Sequence, residues 1–463
     1  MKARLLLTVT MATILWPVPS ALSQPAGQRP DALKTFANAL DQAGFQVSVG
    51  ASRPLNPAAE WCAGNPAFPH ALYANNQPYL MFLVPKSADD AGLGAVFQMR
   101  EDEAIVIIGL TPPPEKYYGY HAFLSSKVYP TGRKRVWSTL GDTVNNATIK
   151  TLGPTPFNSP VALIYTPDRG TDTRVRAALK RAGYPAAIIN TIVIPSSMLN
   201  LGYGDAADEL RINARNGIWL DPIAGEAYLA HPPLSVFRVT PRTPATADPF
   251  PMPALRVRGT GHTEMALLNK LDELRKGIMA ANPGLHATDI PTKPNFYEGF
   301  DYIQQGLDPY GDSRDAFWMT GGWLPDFGCT NRLTLADDEF LVVYGVNHVA
   351  SGKATYASVN VYASDEAKLT LGGIDDRDFA GTASPYLPGD PAADLMYVYK
   401  VSRNCGSDTH CIPLSIDNCS RLTLDSNTLL GVIFRTYLEP ATKVGPALPE
   451  VLYDRIIKFS PRP

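Results

Sequence analysis

Beyond Asn331 the sequence breaks into five short runs of apolar and β-branched residues, FLVVYGVNH, TYASVNVYA, AKLTLGGI, LMYVYKVSR and LLGVIFRTYL, each closed by turn-forming residues. Little chain is left between them for helix, so this part is expected to fold mainly as antiparallel sheet, in a sandwich or barrel-like arrangement. TYASVNVYA alternates as a half-buried strand does.

The N-terminal part reads as mixed. A helix with Leu33, Phe36 and Leu40 on one face is expected from Asp31, with Gly44 ending it, and YLMFLV and AIVIIGL are expected as buried strands. VALIY, the loop Thr166–Asp172, the amphipathic TRVRAALKRA and the apolar run from Ile188 to Ile194 fit one βαβ crossover. Its loop carries Arg169 at a strand's C-terminal end, a place where ligands gather in open α/β sheets. No G-x-G-x-x-G follows that strand, so a dinucleotide fingerprint is missing. Prolines 241, 244, 249, 251 and 253 prevent helix and interrupt any central strand. The expected fold is therefore β-rich α+β. An N-terminal α/β domain spans residues 24–240, a Pro-rich connector 241–255, and a β-rich domain 256–463 that opens with a long helix. Thr263 is placed to cap that helix and Glu264 to sit in its first turn, with Leu267, Leu271, Leu274 and Ile278 inward. No internal repeat of fixed period is visible.

Lys2 and Arg4 precede an apolar stretch from Leu5 to Val18, and Pro19-Ser-Ala-Leu-Ser23 puts small residues where a signal peptidase reads. Cleavage after Ser23 and a secreted or periplasmic mature protein are expected. Removing that segment moves the net charge from −3 to −5, because it holds two bases and no acid. Such a charge argues against nucleic acid as a partner, and Arg133-Lys134-Arg135 reads as a solvated turn. No later segment is long and apolar enough to span a bilayer. In an oxidising compartment, Cys405, Cys411 and Cys419 should hold one short-range disulfide, Cys405 with either of the others, and Cys62 or Cys329 is available for a second. A zinc site with His410 is disfavoured because no C-x-x-C pair is present.

Three groups of residues carry candidate chemistry. Tyr117-Tyr-Gly-Tyr120-His121 sets aromatic rings beside a histidine, a possible ligand platform. His262 and Glu264 open the long helix. Asp312, Ser313, Arg314 and Asp315 form a polar turn, and Asn347-His348 end an apolar strand. If these segment ends converge, His262, Glu264, Asp312, Asp315 and His348 would supply acid/base or metal-assisted chemistry on a small polar molecule. Tyr120, His121, Arg169, Arg314 and Asn347 would then bind that molecule, and a divalent metal is the cofactor such a set admits. The other class is a non-catalytic ligand-binding or surface-structural protein, with the same residues as caps and turns.

Gly311-Asp-Ser313 followed by Gly345-Val-Asn347 resembles two blocks of the SGNH (GDSL) hydrolases. That resemblance implies Ser313 as nucleophile, Asn347 in the oxyanion hole and His410 as base. Ser407-Asp-Thr-His410 departs from the family's D-x-x-H. Gly311-Asp-Ser-Arg-Asp315 is also similar to the G-D-x-R-D box of type I signal peptidases, without their serine–lysine dyad.

Overall fold

The structure, a computed structural model, describes residues 30–462 apart from 66–67, 69, 73, 75–76, 295–297, 366–367 and 417–418. The segment read as an export signal lies outside the described residues.

The first half runs α1 (Pro30–Gln42), β1 (Phe45–Val49), β2 (Ala51–Leu55), α2 (Pro57–Cys62), β3 (Tyr79–Pro85), β4 (Leu93–Gly94), β5 (Ala104–Leu110) and β6 (Glu115–Tyr129). It continues with β7 (Gly132–Thr139), β8 (Val144–Asn145), β9 (Pro160–Thr166), α3 (Arg169–Arg181), β10 (Ile189–Val193), β11 (Glu209–Trp219), α4 (Pro222–Ala230) and β12 (Leu234–Pro241). Sheet I has the order β1-β12-β5-β9-β10 and sheet II the order β2-β3-β11-β6-β7. In β5, Ile105 and Ile107 face sheet II, while Ala104, Val106 and Ile108 face Phe36, Leu40, Val175 and Leu179 of α1 and α3. This period-two alternation makes sheet I the middle of three layers. The expected crossover is present, since β9 and β10 pair in parallel across α3.

The second half runs α5 (Leu268–Ala281), β13 (Leu285–Ile290), β14 (Thr292–Pro294), α6 (Gly299–Gln305), β15 (Ala316–Leu324), β16 (Cys329–Thr330) and β17 (Phe340–Val346). After these come β18 (Tyr356–Ala363), β19 (Leu369–Asp375), β20 (Met396–Ser402), β21 (Cys411–Pro413), β22 (Leu430–Tyr437) and β23 (Arg455–Pro461). Sheet III has the order β13-β23-β17-β20-β21 and sheet IV the order β14-β15-β22-β18-β19. Sheets III and IV enclose Leu341, Val343, Met319, Val359 and Phe434, and α5 covers the far side of sheet III with Leu271, Leu274 and Ile278. α5 begins later than expected. A short 3-10 turn at Met265–Leu267 precedes it, and the Glu264 side chain turns to His348 instead of capping.

Strand for strand, the second half repeats the first. The sheet orders match when β1, β12, β5, β9 and β10 are read as β13, β23, β17, β20 and β21, and when β2, β3, β11, β6 and β7 are read as β14, β15, β22, β18 and β19. Even the short strands β4 and β16 pair with equivalent partners, β3 and β15. The match extends to residues. Gly44 and Gly284, each just ahead of the first strand, have φ of 82° and 88°, and Ile218 and Leu438, at equivalent points of β11 and β22, have φ of 60° and 55°. A left-handed conformation at a branched apolar residue is rare enough that its recurrence marks common architecture. The crossover also recurs, because β20 and β21 are parallel. No helix joins them; the Cys405–Cys411 disulfide closes a tight loop in its place. The reading of no repeat is corrected accordingly, while the second half is mainly antiparallel, as expected, with β20–β21 its parallel pair among the described strands.

Sheets II and IV face each other. Tyr117 and Ile218 from one meet Trp318, Tyr356, Ile433 and Tyr437 from the other. A second disulfide, Cys62–Cys419, ties α2 to the far half, and Cys329 is a buried free thiol. Among the described residues, no helix is long and apolar enough to cross a membrane.

Candidate functional site

The polar turn Gly311–Asp315 clips the two halves together. Gly311 N–H donates to the Trp137 carbonyl, and its own carbonyl accepts from Arg215. Asp312 accepts from Thr139 N–H at 2.7 Å, Arg314 Nε donates to Asp142 at 2.7 Å, and Asp315 accepts from Tyr117 Oη and Asn145 Nδ2, both at 2.9 Å. Burial pushes the carboxyl of Asp312 up to about 6 and that of Asp315 up to about 7, although these hydrogen bonds partly offset it. Ser313 is buried, its Oγ accepting from Asp315 N–H, whereas His410 is exposed on the disulfide loop. The SGNH roles therefore do not carry over: the nucleophile and base that the resemblance implies do not meet.

Glu264 and His348 do come together. His348 Nδ1 lies 2.8 Å from Glu264 Oε1, and Nε2 lies 3.7 Å from Asp454. Burial opposes charge on His348, but the two carboxylates outweigh it and raise the imidazole to about 10. Ser351 Oγ and Leu452 N–H complete Glu264, and Tyr397 Oη completes Asp454 at 2.6 Å. Glu264, His348, Asp454 and Tyr397 are buried, so the cluster is an internal ion network.

The other expected members are scattered. His262 is exposed. Asn347 accepts from Val349 and Ala350 N–H, a turn cap. Arg169 pairs with Asp248 at the surface. Tyr120 and His121 do not form one platform, because neighbours on a strand face opposite ways. Tyr120 enters the core between sheets I and II, while His121 stacks on Phe123 at 5.3 Å beside Tyr117. Burial, then Arg215, pushes His121 well below its ordinary value. Among the described residues no group of three or more His, Cys, Asp or Glu side chains is arranged to hold a metal ion.

What the sequence reading missed is a cavity of about 260 Å³ on sheet II, bordered by Phe68, His70, Arg135, Trp137, Glu209 and Arg211. Arg135 Nη2 lies 2.6 Å from His70 Nε2. A guanidinium only donates, so Nε2 must be the acceptor and Nδ1 carries the proton. Burial, with Arg135 next, lowers His70 to about 3, which keeps the ring neutral. His70 Nδ1, Trp137 Nε1 and Arg211 Nε are then three buried N–H donors without a partner around one cavity. Arg211 forms no ion pair among the described residues and lies 5.0 Å from the Trp137 ring. Burial and the neighbouring Arg135 lower its guanidinium to about 10. The signal was in the strand GRKRVWST: Arg135 and Trp137, two residues apart on β7, share a face.

No family model matches the chain, and no curated protein matches it. Among solved structures, the VPA0106 protein from Vibrio parahaemolyticus aligns over 93% of this chain and 98% of its own, at 11% identity and a TM-score of 0.39. A putative uncharacterized protein from Burkholderia cenocepacia aligns over 92% and 87%, at 11% identity and a TM-score of 0.39.

Proposed function

We propose that this is an exported, two-domain binding protein that holds a small oxyanion-bearing molecule, such as an organic carboxylate, in the cavity beside Arg211. One observation carries the reading: three buried N–H donors without a partner among the described residues converge on that cavity. Buried donors are nearly always satisfied in native proteins, so an unmet set around a cavity calls for a ligand rich in acceptor oxygens. A cation left without an internal counter-ion asks for an anion. The acid/base reading has less support, because Glu264, Asp312, Asp315 and His348 are already engaged with protein partners. Export is supported by two disulfides, which persist in oxidising compartments. Residues 24–240 and 256–463 are taken as the domains and 241–255 as their connector.

The test follows Trp137 fluorescence while the mature protein is titrated with small carboxylates, sulfate and phosphate. Saturable quenching that disappears in Arg211→Met supports the proposal. Identical flat titrations of both proteins overturn it.

A further inference from the structure

Arg135 borders more than the cavity beside Arg211. On the other side of that residue lies a second cavity, of about 420 Å³, bordered by Lys134, Lys293, Pro294, Leu307, Tyr310 and Phe327 among others. Arg135 lines both chambers. Its charge is met by Asp308 at 2.8 Å, and Lys368 nearby is met by Asp326. By contrast, Arg211 in the first chamber and Lys134 and Lys293 in the second have no carboxylate partner among the described residues. Unpaired cations thus stand on both sides of Arg135, in a protein whose net charge is negative.

The repeated fold supplies an internal control. Arg211 pairs with Phe123 across β11 and β6, and the equivalent pair across β22 and β18 is Gly431 with Tyr362. The architecture is built in the second half without a cation at this point. Arg238 on β12, by contrast, has a basic counterpart in Lys458 on β23, each on an equivalent glutamate. Arg211 is therefore particular to the cavity and not to the fold.

The two chambers also share a lining. Each sets apolar or aromatic surface, Phe68 and Leu72 in one and Leu307, Tyr310 and Phe327 in the other, beside its cation. Inorganic polyanions have no use for apolar walls, and an aromatic monocarboxylate needs a cation at one end only. A ring that carries a carboxylate and hydroxyl oxygens, repeated along a chain, uses all of these features. Building on the binding function proposed above, we propose that the two cavities are successive subsites for an acidic oligosaccharide, with uronic-acid units on either side of Arg135.

The test is calorimetric titration of the mature chain with trimers of galacturonate and of mannuronate, their monomers, maltotriose and tripolyphosphate, with thermal unfolding to verify that each variant is folded. One of the uronate trimers should bind about tenfold or more tighter than its monomer, since the second subsite is engaged without a second loss of translational freedom. Maltotriose should not bind. Lys293→Gln and Arg211→Gln, one in each subsite, should each bring the trimer down to about the affinity of the monomer. Trimers no tighter than monomers, with Lys293→Gln silent, overturn the two-subsite arrangement and leave the single-anion reading standing. Tripolyphosphate binding more tightly than either trimer overturns the uronate assignment. If none of the anions binds wild type or Arg211→Gln, the subsites and the reading beneath them both fall.

Discussion

Arg238 Nη2 lies 2.7 Å from the carboxylate of Glu103, with both side chains almost wholly removed from water. The equivalent pair, Lys458 with Glu339, has the same 2.7 Å separation but keeps about a fifth of each side chain exposed. Removing one partner of a buried pair strands the other charge, so Arg238→Met should cost about 3–5 kcal/mol. Lys458→Met should cost about 1 kcal/mol or less, because water screens the glutamate left behind. Urea denaturation of the two variants provides the comparison, and equal losses would contradict the burial argument.

Arg211→Met should act in the opposite sense. It removes a desolvated cation that has no internal counter-ion, so the unliganded protein should gain about 1–3 kcal/mol while losing its anion affinity. Thermal unfolding with and without ligand measures both. Destabilisation in the absence of ligand would mean that Arg211 has a structural role.

Stability should fall as pH rises from about 7 to about 10; below that, the loss through Asp315 is opposed by His70, lowered to about 3, whose contribution grows up to about pH 6.5. Asp315 is raised from its ordinary 3.8 to about 7, and His348 from 6.5 to about 10. A group raised on folding contributes fully below its unfolded value and loses that contribution as pH climbs through the folded one. Asp315 therefore acts from about pH 4 to 7, and His348 from about 6.5 to 10. In urea midpoints recorded across this range, His348→Gln should flatten the upper limb and Asp315→Asn should remove its loss from the lower. A wild-type midpoint that climbs between pH 7 and 9 would exclude the His348 assignment, and an Asp315→Asn profile parallel to wild type between pH 4 and 7 would exclude that of Asp315.

The disulfides should differ in their effect on stability. Cys62–Cys419 closes a separation of 357 residues and Cys405–Cys411 one of 6. The loop-entropy relation gives the long bridge more than about 4 kcal/mol and the short one about 2. Paired Cys→Ser variants should rank in that order by denaturant midpoint, and the reverse order would favour a native-state explanation.

The five C-terminal runs were legible as strands because each buries apolar side chains on a pleated surface, and the β9–α3–β10 crossover was legible from its switch of period. The duplication was not. Glu339 follows Glu103 by 236 residues, whereas Lys458 follows Arg238 by only 220, so no fixed period exists to detect. The traces are short: Asp102-Glu-Ala-Ile-Val-Ile-Ile-Gly109 beside Asp338-Glu-Phe-Leu-Val-Val-Tyr-Gly345, and Val236-Phe-Arg-Val-Thr-Pro-Arg242 beside Ile456-Ile-Lys-Phe-Ser-Pro-Arg462. Of the candidate site, the expectation was that the segment ends carrying His262 and Glu264, Asp312 and Asp315, and His348 converge on one concave site; Glu264 and His348 meet in the interior instead, since spacing says nothing about solvent. His70, Trp137 and Arg211 escaped notice because they come from three separate segments that only the sheet brings together.

The contact between sheets II and IV has a further consequence. Tyr117 meets Tyr437 at 4.8 Å between ring centres, and Gly217, which occupies the place of Tyr437 in the first half, lies against Tyr356, which occupies the place of Tyr117. Position i touches j, and j touches i, as in an interface between identical subunits related by a two-fold axis. A lone copy of either half would leave this tyrosine-rich face open to water, and its natural cover is a second copy of itself. The two halves of one chain thus meet as the subunits of a symmetric dimer do, with the pairing built into a single covalent molecule.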